Sequence, residues 1–304
     1  MRNITIYIVF FLVSLGTFAQ QQPQFTQYMY NTIAFNPAYA GSREILVINV
    51  LNRNQWVGLN GAPITQTLSV HSSIPGSKLG IGLSVINDRL AYERALDVAA
   101  DVSYTINLSE DYMLAFGLKI GASKFDLDDD LLNDPLYNDD PFLDNLYYQW
   151  KPNIGAGIYF RTEYLYFGLA APKFLRFLDD NNTAYFENDR VNYYLNGGYL
   201  FEVNKHIKFK PTFLVKFTNG APMTVDISSS VLLKEKLWLT GFYRFTEAFG
   251  AMANFKVNKS LSIGYSYDYI TSDLNPYTSG SHELILSYEF EVPRPRCKCP
   301  DLYN

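Results

Sequence analysis

The chain has 304 residues, a formal net charge of −5, 18% charged residues and 16% aromatic residues, with 24 Tyr and 22 Phe. Soluble domains carry about 25% charged residues, so part of this surface meets something other than water, and the acidic balance gives no basic footprint for nucleic acid. Two cysteines near the C-terminus exclude a disulfide-stapled fold, and three scattered histidines leave little material for a transition-metal site, so no cofactor is expected.

The first segment reads as an address. Arg2 precedes an apolar run from Ile4 to Phe18, broken only by Thr5, Ser14, Gly16 and Thr17. Thr17-Phe18-Ala19 then sets small residues at both positions that matter for a cut after Ala19. A basic start, a short apolar centre and a small-residue exit predict a cleaved secretory signal peptide over 1–19. The competing reading is a retained anchor, but a spanning helix needs about 20 apolar residues. No cysteine follows the cut, so a lipoprotein anchor is not expected.

Residues 20–43 differ from everything after them. Phe25, Tyr28, Met29 and Ile33 fall at spacings of three and four, which predicts a short amphipathic helix. Asn36-Pro37 would stop it, because the residue before proline disfavours helix. Gln24, Phe25, Tyr28, Met29, Asn36, Pro37, Ala38, Tyr39, Ala40 and Gly41 are the candidates here for partner binding or plugging. The segment would lie inside a polar barrel as a plug, or sit at its periplasmic mouth.

From 44 to 291 the chain alternates apolar residues with small or polar ones, the period of a two-faced strand. Leu96, Val98, Ala100, Val102 and Tyr104 alternate with Asp97, Ala99, Asp101 and Ser103; Leu284, Leu286, Tyr288 and Phe290 alternate with Glu283, Ile285, Ser287 and Glu289. The pattern predicts fourteen strands near 44–54, 64–72, 78–88, 92–106, 112–125, 151–161, 164–171, 191–202, 206–217, 222–232, 236–245, 249–258, 261–271 and 280–291. Tight connections at 73–77, 108–111, 161–163, 203–205, 233–235 and 257–260 alternate with longer ones, above all 126–150, 172–190 and 272–279. Short periplasmic turns, long outer loops and an even strand number mark an outer-membrane barrel, whereas a soluble sandwich has no reason to sort its loops this way. The predicted fold is all-β: a transmembrane, up-and-down antiparallel β-barrel of about fourteen strands. Its greasy exterior meets outer-membrane lipid, with Trp150 and Trp238 as members of the aromatic girdles.

The opposite face is rich in glycine, including Gly80, Gly82, Gly117, Gly121, Gly155 and Gly157, and would leave a lumen for water, a plug or a passing chain. Asp97, Asp101 and Lys119 are among the inward charges; they read as salt bridges that brace the barrel, with selective binding as the alternative. The loop 126–150 holds eight aspartates and no lysine or arginine. Calcium takes six to eight oxygens, but the EF-hand order of glycine and closing glutamate is missing, so a solvated acidic loop is expected. Ser281, His282 and Glu283 are adjacent on a strand and point to alternate faces, and Ser69 with His71 lacks a third group, so no catalytic relay is expected. The tail 292–304 carries Cys297 and Cys299, too few ligands for zinc, and is read as a periplasmic docking segment.

Pro23-Gln24-Phe25-Thr26-Gln27-Tyr28-Met29 and Asn36-Pro37-Ala38-Tyr39-Ala40-Gly41-Ser42 resemble the N-terminal signature of the PorP/SprF membrane proteins of the Bacteroidetes type IX secretion system. The barrel pattern extends that resemblance across the mature chain. It implies export or surface retention of a large adhesin bearing a C-terminal sorting domain, in some members for gliding, with periplasmic secretion components as further partners. The runner-up reading is a plugged pore for small or apolar solutes.

Overall fold

The computed structural model describes residues 23–43, 45–128, 150–174 and 191–290. The signal-peptide reading for 1–19, most of the acidic loop, and the tail with Cys297 and Cys299 lie outside these residues.

The alternating sequence becomes antiparallel strand throughout. The strands are β1 (Leu46–Asn54), β2 (Ile64–Ser73), β3 (Leu79–Leu90), β4 (Glu93–Asn107), β5 (Met113–Leu127), β6 (Trp150–Arg161), β7 (Leu165–Ala171) and β8 (Asn192–Tyr199). They continue with β9 (Phe201–Asn204), β10 (Ile207–Thr218), β11 (Thr224–Leu233), β12 (Leu237–Arg244), β13 (Ala248–Lys256), β14 (Leu261–Ile270) and β15 (Ser281–Phe290). Each pairs with its neighbours, and β1 also pairs with β15 from Leu46↔Phe290 to Asn54↔His282, which closes the ring. β10 pairs with both β8 and β9, so these two are one stave, and the closed barrel has fourteen staves. Closure is what hydrocarbon demands, because an unpaired N–H or C=O there has no water to bond.

The single strand expected at 191–202 is interrupted at Leu200. Its side chain joins a buried cluster with Leu232 and Trp238, and its N–H donates to the Tyr164 carbonyl at 2.8 Å. The loop parity is also weaker than expected. The ends of β3 and β12 that face away from the tight turns are joined by residues 91–92 and 245–247, connections as short as any turn at the other end. The β5–β6 connection starts later than expected, since β5 runs to Leu127 and takes Asp126 into its end.

Outward rows are bare and apolar: Leu83, Leu118 and Ile120 are 60%, 57% and 64% exposed, while Ser84 and Lys119 between them are buried inside. A continuous surface of this kind marks contact with an apolar medium. Aromatic pairs ring both ends of it, with Tyr112–Phe160, Phe201–Phe209 and Tyr288–Phe290 at the tight-turn end. Tyr193–Phe217, Tyr243–Phe245 and Phe249–Tyr269 lie at the other. These are the interfacial girdles of a membrane barrel. Trp150 is half-exposed at the outer end. Trp238 is not in a girdle: it is 4% exposed and faces the lumen, with Lys210 Nζ 4.4 Å from its ring centroid.

Candidate functional site

Residues 23–43 run through the ring. Their ties to the wall descend from the outer ends of β1, β14 and β15, at Thr26, to the periplasmic ends of β2 and β3, at Gly41. No α-helix forms. Turns at 26–30 lead into two 3₁₀ turns, Thr32–Ala34 and Pro37–Tyr39, linked by bonds such as Tyr30 N to Gln27 O (3.0 Å) and Ala34 N to Asn31 O (3.1 Å). The helical spacing misled because wall surrounds the segment: Thr26, Gln27 and Asn31 are as buried as Phe25, Tyr28, Met29 and Ile33. A chain buried on every side has no single apolar face to be read.

Three sets of contacts fix the segment. At the outer end, Thr26 N and Gln27 N donate to the two carboxylate oxygens of Glu283 at 2.9 and 2.8 Å, and Thr26 Oγ1 donates to Asp268 at 2.7 Å. Arg53 binds all three groups, reaching Thr26 Oγ1 at 2.7 Å, Asp268 at 2.8 Å and Glu283 at 3.1 Å. Arg244 extends the network to Asp226 at 2.9 Å and Asp268 at 3.6 Å. In the middle, Asn31 bridges Thr67 and Ser69 of β2, and Tyr28 meets Thr212 of β10 at 3.0 Å. Lys119 Nζ donates to the Ile33 carbonyl at 3.4 Å while paired with Asp101 at 2.9 Å. Lower down, Asn36 caps the second 3₁₀ turn by accepting from Ala38 N and donates to Ile158 O, both near 3 Å; the distances are 3.0 and 3.1 Å. Ser103 donates to the Ala40 carbonyl at 2.6 Å.

The glycines divide into two groups. A Cβ on Gly80 would lie 2.1 Å from Ala40 O, one on Gly117 2.1 Å from Ala38 N, and one on Gly157 2.2 Å from Asn36 Oδ1. Gly82 faces the Ile33 side chain at 3.2 Å, tight but less close than these three. Pro37, Ala38 and Ala40 therefore lie against bare backbone, and Tyr39 packs edge-on between His71 and Tyr159. Gly121 and Gly155 serve other neighbours: the first faces Val98 and Ala99 of β4, the second lies under Pro172. Asp97 is bound by Lys173 at 2.6 Å.

Gln24, Phe25 and Tyr28 line a cavity of about 70 Å³ near the outer end, together with Phe35, Tyr194 and Leu214. Of the loop aspartates, Asp126 binds Lys124 at 3.1 Å and Asp128 binds Arg94 at 2.6 Å; the other six lie outside the described residues. Among those residues no cluster of His, Cys, Asp or Glu has metal-site spacing. Ser281 and Glu283 face inward, whereas His282 faces outward, its Nδ1 2.6 Å from the Tyr265 hydroxyl. Ser69 donates to Asn31 Oδ1, and Ser281 Oγ accepts from Trp56 N.

Comparison with known proteins adds what geometry alone does not. The family model described as "Type IX secretion system membrane protein PorP/SprF" matches residues 17–288. This chain belongs to the PorP/SprF family. It is an outer-membrane barrel and a membrane component of the type IX secretion system, in a family of secretion components rather than of enzymes. No curated protein matches this PorP/SprF chain. Among solved structures, the Acinetobacter baumannii outer membrane protein Omp33 is similar at 7% identity and a TM-score of 0.49, over 81% of this chain and 98% of that one. A TodX deletion mutant, a monoaromatic hydrocarbon channel, is similar at 9% identity and a TM-score of 0.47, over 86% and 94%. The KdgM porin is similar at 8% and 0.39, over 80% and 99%. These likenesses are too low to bear on what passes through or binds to the PorP/SprF barrel.

Sequence reading named the segment and the glycines but missed Arg53 and Arg244. Arg53 shares its inward parity with Val47, Asn49 and Leu51, and Arg244 with Trp238, Thr240 and Phe242, and that parity was the available signal.

Proposed function

We propose that this protein holds a cognate surface protein of the type IX pathway at the outer membrane and assists its export. The cargo is a large adhesin, used in gliding, whose C-terminal sorting domain docks on the barrel. One observation carries this reading: residues 23–43 are tied across the ring at Glu283, Lys119 and Ser103. A lumen spanned by its own chain suits a holder better than a conduit for a folded or extended protein. Phe25 and Tyr28 at the outer cavity, and Cys297 and Cys299 on the periplasmic tail, are the contact points this reading assigns to cargo and to secretion components. It is tested by deleting the gene and scoring surface proteins by mass spectrometry. Loss of one large adhesin with normal solute uptake is expected. An unchanged surface set with impaired uptake of apolar solutes would overturn it, and would favour the plugged pore that the apolar outer cavity allows. Display that is unaltered by Cys297→Ser and Cys299→Ser would remove the tail cysteines from the reading.

A further inference from the structure

A second cavity, of about 30 Å³, opens at the periplasmic mouth, on the far side of the N-terminal segment from the outer cavity. Its wall is made by an inward rung of the β12–β13 ladder and by the turn residue that precedes β12. Trp238 and Asn254 are register partners, and one step toward the rim the Lys256 N–H donates to the Lys236 carbonyl at 2.8 Å. Directly opposed side chains of an antiparallel pair have Cβ atoms roughly 4.5–5.5 Å apart, so the indole and the amide stand side by side beneath two lysines.

The wall is left chemically incomplete. Trp238 Nε1 and Asn254 Nδ2 are donors with no hydrogen-bond partner, although the residues are only 4% and 6% exposed. Buried donors are nearly always satisfied, so a polar group belongs here. The surrounding charge says which sign. Arg43 lines the cavity but is engaged by Glu289 at 2.8 Å. Lys236 and Lys256 face one further acid, Glu235, and Lys210 lies under the Trp238 ring. Positive charge exceeds negative, and of the unsatisfied side-chain atoms near Asn254, the two on residues lining the cavity are donors, while the acceptor Gln27 Oε1 is not on a lining residue. An anion completes both.

We propose that this pocket is a carboxylate-binding site for an acidic segment of a periplasmic polypeptide. One carboxylate accepts from Trp238 Nε1 and Asn254 Nδ2, and neighbouring acids of the same segment lie along Lys236 and Lys256. A polypeptide suits the site because the donors lie recessed below a rim of long cations, which matches a side chain reaching inward from an extended chain. The site is separate from the adhesin-holding role, since it uses the opposite mouth and none of the residues assigned there.

The test uses the full-length mature protein in detergent with Trp56→Phe and Trp150→Phe, which leaves Trp238 as the sole tryptophan. Hexaglutamate is titrated against hexaglutamine and inorganic phosphate while Trp238 emission is followed. A saturable shift with hexaglutamate alone is expected, weakened about tenfold or more in the double variant Lys236→Gln, Lys256→Gln. Trp238→Phe, which keeps an aromatic ring at the position but loses the N–H together with the five-membered part of the indole, should weaken binding in calorimetry as well. A shift of equal size with hexaglutamine, an equal affinity for phosphate, or no shift at all would overturn the proposal. So would unchanged affinity in the lysine variant once its intact barrel is verified by a heat-dependent gel shift.

Discussion

Arg53 is the residue on which the outer end of the lumen depends. It is 1% exposed and balances two carboxylates that themselves hold Thr26 and Gln27. Removing one partner of a buried ionic cluster leaves the rest uncompensated, at about 3–5 kcal/mol. Arg53→Met is therefore expected to lower the unfolding free energy of the detergent-solubilised barrel by an amount in that range, read as a lower urea midpoint. An unchanged midpoint would show that Asp268 and Glu283 do not rely on it. The alternation that places Arg53 inward is local and was legible in the sequence, as were Asp101 and Lys119. Its partners were not, because Arg53 meets Asp268 across 215 positions of chain and period two says nothing about which inward groups meet. Trp238 was misread for a different reason. A strand-end tryptophan suggested a girdle, yet it shares parity with Thr240, Phe242 and Arg244, all buried inside, and that parity was the better guide.

At the scale of elements, the strands followed from their own residues and the N-terminal segment did not. Strands need only their two faces to be distinguishable, and thirteen of the fourteen staves keep that distinction unbroken; the exception is the stave of β8 and β9 that breaks at Leu200. The segment takes its shape from the wall that encloses it, through Gly80, Gly117 and Gly157. Gly117→Val tests this dependence, since even one added carbon would strike the backbone at Ala38. The variant is expected to keep its heat-dependent gel shift, because β5 stays paired on both sides, while becoming open to chymotrypsin at Phe25, Tyr28, Tyr30 and Phe35. Wild-type protection at those sites in the variant would mean that the segment does not need the glycine. The short outer connections 91–92 and 245–247 show the limit of loop length as a signal. Length sorts the ends of a barrel only where an outer loop has been elaborated.

For the molecule as a whole, one closed wall separates two environments, and the chain itself occupies the space between its ends. The lipid face explains the low charge content and the aromatic surplus. The inner face explains why glycine, serine and paired charges alternate with the apolar rows. Family membership places the barrel in the type IX system, and the occupied lumen is what makes holding cargo a better reading than conducting it. The most direct test is electrical. Full-length mature protein in planar bilayers should show no steady ion conductance, whereas a form lacking residues 23–40, with its heat-dependent gel shift intact, should open a stable pore. Equal conductance from the two forms would contradict a lumen filled by the N-terminal segment.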